Sequence, residues 1–210
     1  MPESDAVKGS VVVTADQIGS RKGGDNVPAA LDALAQLRLG RSSRRFARTA
    51  GDEIQGLVTD SAAVVSVIET LTRLGGWRIG IGIGDVDRPV PRDVRAANGP
   101  AFLAARDALN TARSAPQDLR VVGPPACAEA EAVLWLLLSV WRRRTPAGWE
   151  ACTVAADGRP QQQVAKSLGI TASAVSQRLR SSGFAETQAG ARLVERLLDR
   201  ARAETVGGPG

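Results

Sequence analysis

Residues 77–84, which read WRIGIGIG, decide the fold. Large apolar side chains alternate there with arginine or glycine, and a period of two predicts a β-strand. Glycine on one side of a strand indicates that something approaches the backbone closely. We therefore predict a strand over residues 77–83 that is in close contact with another group at Gly80 and Gly82.

Strands and helices alternate outward from this strand, as far as residue 122. Further strands are predicted over residues 11–16, 44–49, 54–59 and 119–122, and helices from Pro28, over 61–74 and over 101–113. A tight turn at Gly51 and Asp52 joins the strands 44–49 and 54–59 as a hairpin. The order strand, helix, strand, strand, helix, strand is that of a ferredoxin-like α+β sandwich.

A Gly-Pro-Pro sequence at residues 123–125 marks a predicted domain boundary. We expect an α+β domain over residues 1–123 and an all-helical domain over 124–210. The apolar helix predicted over 127–144 ends in three arginines, which suit a helix C-terminus and do not by themselves indicate a DNA-binding patch. An amphipathic helix over 189–203 follows.

Within the helical domain, residues 158–183 have the pattern of a helix-turn-helix. Ala165 is small where two helices would cross, Gly169 suits a tight turn with positive φ, and Thr171 can cap the second helix. The space between the helices would be filled by Ile170, Val175 and Leu179. The pattern resembles the helix-turn-helix of bacterial transcription regulators, whose second helix enters the major groove of DNA.

The resemblance implies DNA contacts on the exposed side of the second helix. Gln and Arg can read adenine and guanine through paired hydrogen bonds, and we assign these roles to Gln177 and Arg180. Phosphate contacts are assigned to Lys166 and Arg178. The full predicted set is Lys166, Ser173, Ser176, Gln177, Arg178 and Arg180. A three-helix unit that binds only protein is the alternative.

The composition of the chain excludes several classes of site. It contains no histidine and two cysteines, Cys127 and Cys152, that are far apart. Serine–histidine and cysteine–histidine catalysis are therefore excluded, and neither zinc nor haem is expected. The formal charge of +5 permits nucleic-acid binding without requiring it.

The chain opens without a secretory signal, and its apolar runs are too short to span a bilayer. We therefore expect a cytoplasmic protein with no membrane partner. Its richness in Ala, Arg and Val is typical of a GC-rich coding sequence and favours a bacterial source.

Two carboxylates stand at strand and hairpin ends of the α+β domain. Asp16 follows a run of valines and Asp52 lies in the hairpin turn. A ferredoxin-like sheet would bring both to one edge. Two carboxylates and the oxygens of a phosphorylated ligand suit Mg²⁺, which prefers hard oxygen ligands. The alternative is structural: Asp52 makes a tight turn and Asp16 caps a helix.

The same domain resembles class III nucleotide cyclases and diguanylate cyclases. Residues 50–54, AGDEI, resemble the Gly-Gly-Asp-Glu-Phe turn of diguanylate cyclases, and residues 78–84 resemble the Arg-x-Gly-Ile-x-x-Gly strand of class III cyclases. Phe102 stands where the cyclase motif has Asn, which favours a nucleotide-binding or vestigial domain over a working enzyme. By this resemblance and by charge, the predicted nucleotide-binding residues are Arg21, Lys22 and Arg106.

Blocks over nearly the whole chain resemble the SatD family. Residues 13–21, VTADQIGSR, resemble its Gly-Asp-Ile-Ile-x-Ser-Arg opening, and residues 49–57, TAGDEIQGL, resemble its Thr-x-Gly-Asp-Glu-Phe-Gln-Gly-Leu block. Residues 80–84, 98–102 and 105–109 follow in the family's order. The resemblance implies the two-part organisation given above and less about function.

These features predict a DNA-binding regulator whose N-terminal domain senses a nucleotide or a similar phosphorylated ligand. A Mg²⁺-dependent nucleotidyl-transfer enzyme with an accessory helical domain is the first alternative, and a protein-binding scaffold is the second. The sequence leaves the oligomeric state open, a homodimer included.

Overall fold

The computed structural model describes residues 6–20, 23–40 and 42–207. Its strands are β1 (Ala6–Gln17), β2 (Arg44–Arg48), β3 (Glu53–Val58), β4 (Trp77–Asp87) and β5 (Leu119–Val122). Its α-helices are α1 (Val27–Ala35), α2 (Ser61–Leu74), α3 (Pro100–Ala112), α4 (Cys127–Trp141), α5 (Pro146–Ala155), α6 (Gln161–Leu168), α7 (Ala172–Ser181) and α8 (Phe184–Gly207). Short 3₁₀ turns, Val94–Ala96 and Pro116–Asp118, precede α3 and β5.

The strands form one mixed sheet in the order β2-β3-β1-β4-β5. β1 pairs antiparallel with β3 and β4, β2 pairs antiparallel with β3, and β5 joins parallel to β4. The chain is therefore α+β, as its sequence predicts. β1 lies at the centre with both faces covered, which its consecutive buried residues Val11, Val12 and Val13 require.

The glycine side of β4 receives helix α3. A Cβ at Gly82 would lie 2.2 Å from Ala101 O and from Ala105 N, and a Cβ at Gly80 would lie 2.3 Å from Leu109 N. These distances are far below van der Waals contact, so glycine is what allows the helix backbone to pack on the strand backbone. The predicted close contact is confirmed, and the group in contact is a helix.

The opposite face of the sheet carries the main hydrophobic core. Val13 of β1 and Ile81 of β4 are fully buried there, together with Ile68 of α2, Leu138 of α4 and Leu198 of α8. Helices on both sides of the predicted domain boundary therefore share one core with the sheet. The core extends across the predicted boundary. That residues 1–123 and 124–210 fold independently stays a prediction.

Helix α4 ends at Trp141, earlier than the sequence predicts, because a new helix begins soon afterwards. Thr145 caps α5, since its Oγ1 accepts a hydrogen bond from Gly148 N at 3.1 Å. Pro146 occupies the first turn, where its missing N–H costs nothing. None of the helices in the described part of the chain is both long enough and apolar enough to cross a membrane.

Candidate functional site

Asp16 lies near the end of β1, on the sheet face that α3 covers. It lies on the same face of the strand as Val12, four residues earlier, and Val12 packs with Ala105 of α3. Asp16 is directly opposite Glu53 of β3 and Arg78 of β4, and directly opposite residues of neighbouring strands share a face. Arg78 Nη1 lies 3.1 Å from Asp16 Oδ2. The register thus brings three charged groups to one edge of the sheet.

The hairpin turn brings Asp52 to the same place. Gly51 takes a φ of 50° in this turn, and Gln17 N donates a hydrogen bond to Asp52 O at 3.2 Å. The carboxyl groups of Asp16 and Asp52 lie close enough to interact, and Asp52 raises the pKa of Asp16. The two carboxylates predicted at one edge therefore meet, and their role as metal ligands stays a prediction. The alternative that Asp16 caps a helix is wrong, because the residue belongs to β1.

The environment of Asp16 favours its neutral form. Its pKa is raised from 3.8 to about 6. Burial is the largest cause, followed by the negative charge of Asp52 and the hydrogen bond to it, while Arg78 opposes the shift. A cation between the two carboxylates would remove their repulsion.

The chemistry of this pair suits Mg²⁺, which prefers carboxylate oxygens and completes its shell with water or phosphate oxygens. Within residues 6–20, 23–40 and 42–207, no group of three or more His, Cys, Asp or Glu side chains is arranged to hold a metal ion. A phosphorylated ligand would therefore have to supply oxygens beside the aspartates.

Glu53 and Arg78 belong to this site, although the sequence did not single them out. Thr49 Oγ1 donates to Glu53 Oε1 at 2.6 Å, and Arg106 Nη2 lies 3.6 Å from the same oxygen. The Arg106 side chain is 57% exposed, so it can reach a ligand beside the carboxylates. The strand register, with Asp16 opposite both residues, is the signal that would have identified them.

The loop between β1 and α1 borders the site. The Gln17 side chain is buried; its Nε2 donates to Gly24 O at 2.7 Å and its Oε1 accepts from Asn26 N at 2.9 Å. This buried amide fixes the chain at Gly24 and Asn26. A cleft of about 570 Å³ is lined by Asp16, Gln17, Ile18, Gly19, Ser20, Arg78 and Arg113. The predicted nucleotide-binding residues Arg21 and Lys22 lie outside the described residues.

Helices α6 and α7 are joined by a three-residue turn. Gly169 takes the left-handed conformation with a φ of 64°, and Ile170 N donates to Ala165 O at 3.1 Å. Thr171 Oγ1 accepts from Ala174 N at 3.1 Å and caps α7. The turn and the cap are as predicted. The buried residues that hold α5, α6 and α7 together are Ala155, Val164, Ala165 and Val175.

The residues predicted to contact DNA fall into two groups by exposure. The exposed ones are Lys166, Ser173, Gln177 and Arg180, and the half-buried ones are Ser176 and Arg178. Arg178 Nη1 lies 3.6 Å from a carboxylate oxygen of Glu150 on α5. The predicted phosphate contact of Arg178 would therefore have to replace or share this ion pair.

A buried arginine, Arg144, connects α5 and α8 to helix α2, which packs on the sheet. The Arg144 side chain is 2% exposed and its Nε donates to Ser182 O at 2.9 Å. Its Nη2 donates to Thr187 Oγ1, and its Nη1 lies 3.4 Å from Glu69 Oε1 on α2. The guanidinium also lies over the ring of Trp149 on α5, 4.7 Å from the centroid. One side chain thus links α2, α5 and the start of α8.

No family model matches the sequence, and no curated protein sequence does either. The resemblance to the SatD family accordingly stays a prediction. Among solved structures, the chain is similar to the Regulator of Polyketide Synthase Expression from Bifidobacterium adolescentis, at 15% sequence identity and a TM-score of 0.29. The match covers 92% of this chain and 83% of that chain. A TM-score this low does not indicate a shared fold, and nothing about function follows from it.

Proposed function

We propose that the chain is a DNA-binding regulator whose sheet part binds a nucleotide or similar phosphorylated ligand with Mg²⁺. The observation that carries the proposal is that one side of α7 is buried and the other is exposed. Val175 is fully buried against α5 and α6, while Ser173, Gln177 and Arg180 are exposed. A helix held in this way by a short turn and a partner helix suits entry into a major groove.

The positive charge around α7 supports the same proposal. Arg178 and Arg180 lie in the last turn of α7, and Lys166 lies in the last turn of α6. Contacts of cations with phosphates supply most of the sequence-independent affinity for DNA. The pair between Arg178 and Glu150 is partly exposed, at 33% and 61% of the two side chains, and ion pairs in contact with solvent are worth little, so a phosphate can replace the carboxylate.

The strand order supports the ligand-binding half of the proposal. The run β2-β3-β1-β4, with antiparallel neighbours, is what a ferredoxin-like, cyclase-like sandwich would have, and β5 extends it at one edge. Asp16 and Asp52 meet where such a sheet would present them. Arg106 on α3 would then contact a phosphate beside these carboxylates.

DNA binding is tested on the full chain by fluorescence anisotropy with labelled duplexes of mixed sequence. Lys166→Ala should weaken binding to all sequences and reduce the salt slope by about one unit, as expected for one lost phosphate contact. Arg95→Ala is the matched control, because it removes one exposed cation from a distant 3₁₀ turn. Absence of DNA binding by the wild type at low salt, or equal effects of the two variants, would contradict the proposal.

A nucleotidyl-transfer enzyme is the second candidate, because carboxylates and Arg106 converge at the sheet edge. The position of Phe102 opposes it: the side chain is 8% exposed and packs in an apolar cluster with Val12 and Val86. It cannot supply the polar contact made by the Asn of the cyclase motif. Incubation of the full chain with Mg²⁺ and ATP or GTP, followed by chromatography, should show no cyclic product.

A further inference from the structure

Two adjoining cavities lie between α2, α4 and α5, where the sheet part meets the helices that follow it. Their volumes are about 280 and 430 Å³. Both are lined by Arg73, Trp141, Arg144 and Trp149. The larger cavity falls in the range of small-molecule pockets, roughly 300–1,000 Å³. Neither α7 nor the Asp16 carboxylate lines it.

The walls of the larger cavity are rich in aromatic side chains. Three of the four tryptophans of the chain, Trp77, Trp141 and Trp149, line it. Each is almost fully buried, so the rings are held in place by packing. The exposed parts of these rings are small, and fixed aromatic edges favour a flat, apolar ligand body, because aromatic groups also pack edge to face.

The charged groups of this lining are mostly cations. Arg142 Nη1 lies 3.6 Å from Asp118 Oδ2, and Arg144 Nη1 lies 3.4 Å from Glu69 Oε1. These two guanidinium groups therefore have carboxylate partners within the protein, and those pairs add little net charge to the cavity.

Arg73 differs from them in its surroundings. It lies on α2 and is exposed, its Nη1 donates to Thr153 Oγ1 at 3.3 Å, and its guanidinium lies 5.7 Å from the centroid of the Trp149 ring. Its described contacts are a hydroxyl group and an aromatic face, and its charge also acts on Glu69, where it opposes the rise in the pKa of that carboxyl group caused by burial. A guanidinium presents a planar fork of N–H groups that matches a carboxylate in two parallel hydrogen bonds.

We propose that the larger cavity binds a small aromatic carboxylate. Arg73 would pair with its carboxylate group, and the tryptophans would enclose its ring. Such a ligand would contact α2 through Arg73 and α5 through Trp149, and so would bind at the joint that Arg144 holds. This site is independent of both parts of the function proposed above.

The test is isothermal titration calorimetry of the full chain with 1-naphthoate and with its uncharged analogue 1-naphthamide. The carboxylate should bind saturably at one site, and the amide should bind about tenfold more weakly, since it lacks the charge-assisted pair. Arg73→Gln should weaken binding of 1-naphthoate about tenfold and leave binding of the amide unchanged. Arg95→Gln, which removes a distant exposed cation, should change neither.

A second pair of variants tests the walls of the cavity. Trp149→Phe should weaken both compounds, whereas Trp135→Phe should weaken neither, because Trp135 donates to Leu119 O on β5 and does not line either cavity. Arg73 is exposed, so its variant should fold even if Trp149→Phe does not. No saturable binding of 1-naphthoate, equal affinity for the amide, or equal effects of Arg73→Gln and Arg95→Gln would overturn the proposal.

Discussion

The α6–α7 unit is formed by residues that are close together in the sequence, whereas the Asp16 site is formed by residues that are far apart in it. Gly169, Thr171 and Val175, which shape the first, lie within a few residues of one another. In the second, Asp16 and Arg78 come from different strands, and their meeting depends on the register of the sheet. A locally encoded unit should respond mildly to single changes in its turn, whereas a site held by long-range packing should be sensitive to changes far from it.

Adding one methyl group to a glycine should show the largest difference between the two regions. Gly82→Ala would place a Cβ 2.2 Å from the α3 backbone, so we expect the free energy of unfolding to fall by about 3 kcal/mol. Gly169→Ala meets open space and loses only the ease with which glycine takes a φ of 64°, a loss of about 1 kcal/mol. Urea unfolding measures both.

Gly24→Ala is the control for these variants, because a Cβ there meets nothing within 4 Å. It should leave stability almost unchanged. Equal losses for Gly82→Ala and Gly169→Ala would show that α3 can move away from β4 at little cost, and would contradict the proposed difference between the regions.

Removing the buried guanidinium at the joint should have the next largest effect. Arg144→Met would leave Ser182 O and Thr187 Oγ1 without a charged donor and remove the partner of Glu69. We expect a loss of about 2 kcal/mol in unfolding free energy, below the usual range for buried pairs because Glu69 is partly exposed. The matched control is Arg143→Met, an exposed neighbour, which should change stability by less than about 0.5 kcal/mol.

The pH dependence of stability should report the carboxylate pair. Because the pKa of Asp16 is raised to about 6, the folded state binds its proton more tightly than the unfolded chain. The contribution of Asp16 to stability should therefore be fully present below pH 3.8, the unfolded value, and should be lost as the pH rises through about 6. Thermal melts across this interval measure the change.

Asp52→Asn should reduce that pH dependence, since it removes a negative charge that raises the pKa of Asp16. Near neutral pH we expect the variant to be more stable than the wild type by about 1 kcal/mol. Asp107→Asn, an exposed carboxylate on α3, should have no such effect. If Asp52→Asn instead lowers stability at every pH, the residue acts only in the turn.

Thermal melts of the same variant with Mg²⁺ and a panel of nucleotides test the proposed ligand. The wild type should gain stability with at least one nucleotide, because a ligand that binds only the folded state stabilises it by mass action. Asp52→Asn should lose this gain. An unchanged gain in the variant would exclude the carboxylate pair as the binding site.

The smallest effect is expected at the edge of α7. Glu150→Gln removes the carboxylate that lies 3.6 Å from Arg178, so Arg178 should become available to a phosphate. DNA affinity should rise a few-fold, consistent with the low worth of exposed pairs, about 0.2–1 kcal/mol. Glu129→Gln, an exposed change on α4, is the control in the same anisotropy assay. A fall in affinity for Glu150→Gln would show that the ion pair holds Arg178 in its binding position.

The sequence predicted features that depend on neighbouring residues. The turn at Gly169, the cap at Thr171 and the hairpin turn at Gly51 each follow from the conformational preferences of one or two residues. The approach of a group to Gly80 and Gly82 was predictable as well, because an absent side chain leaves room for a backbone.

Tertiary structure decided which helices cover each face of the sheet and which residues lie opposite one another. A period of two indicates that a strand has two faces, yet it does not say that α3 covers one of them and that α4 and α8 cover the other. Nor does it say that Asp16 is opposite Glu53 and Arg78, because register depends on which strands pair and how far each has shifted. Local preferences thus determined the turns, the caps and the alternating strands of this protein. Long-range packing of apolar side chains decided which charged groups meet at the sheet edge and at the joint around Arg144.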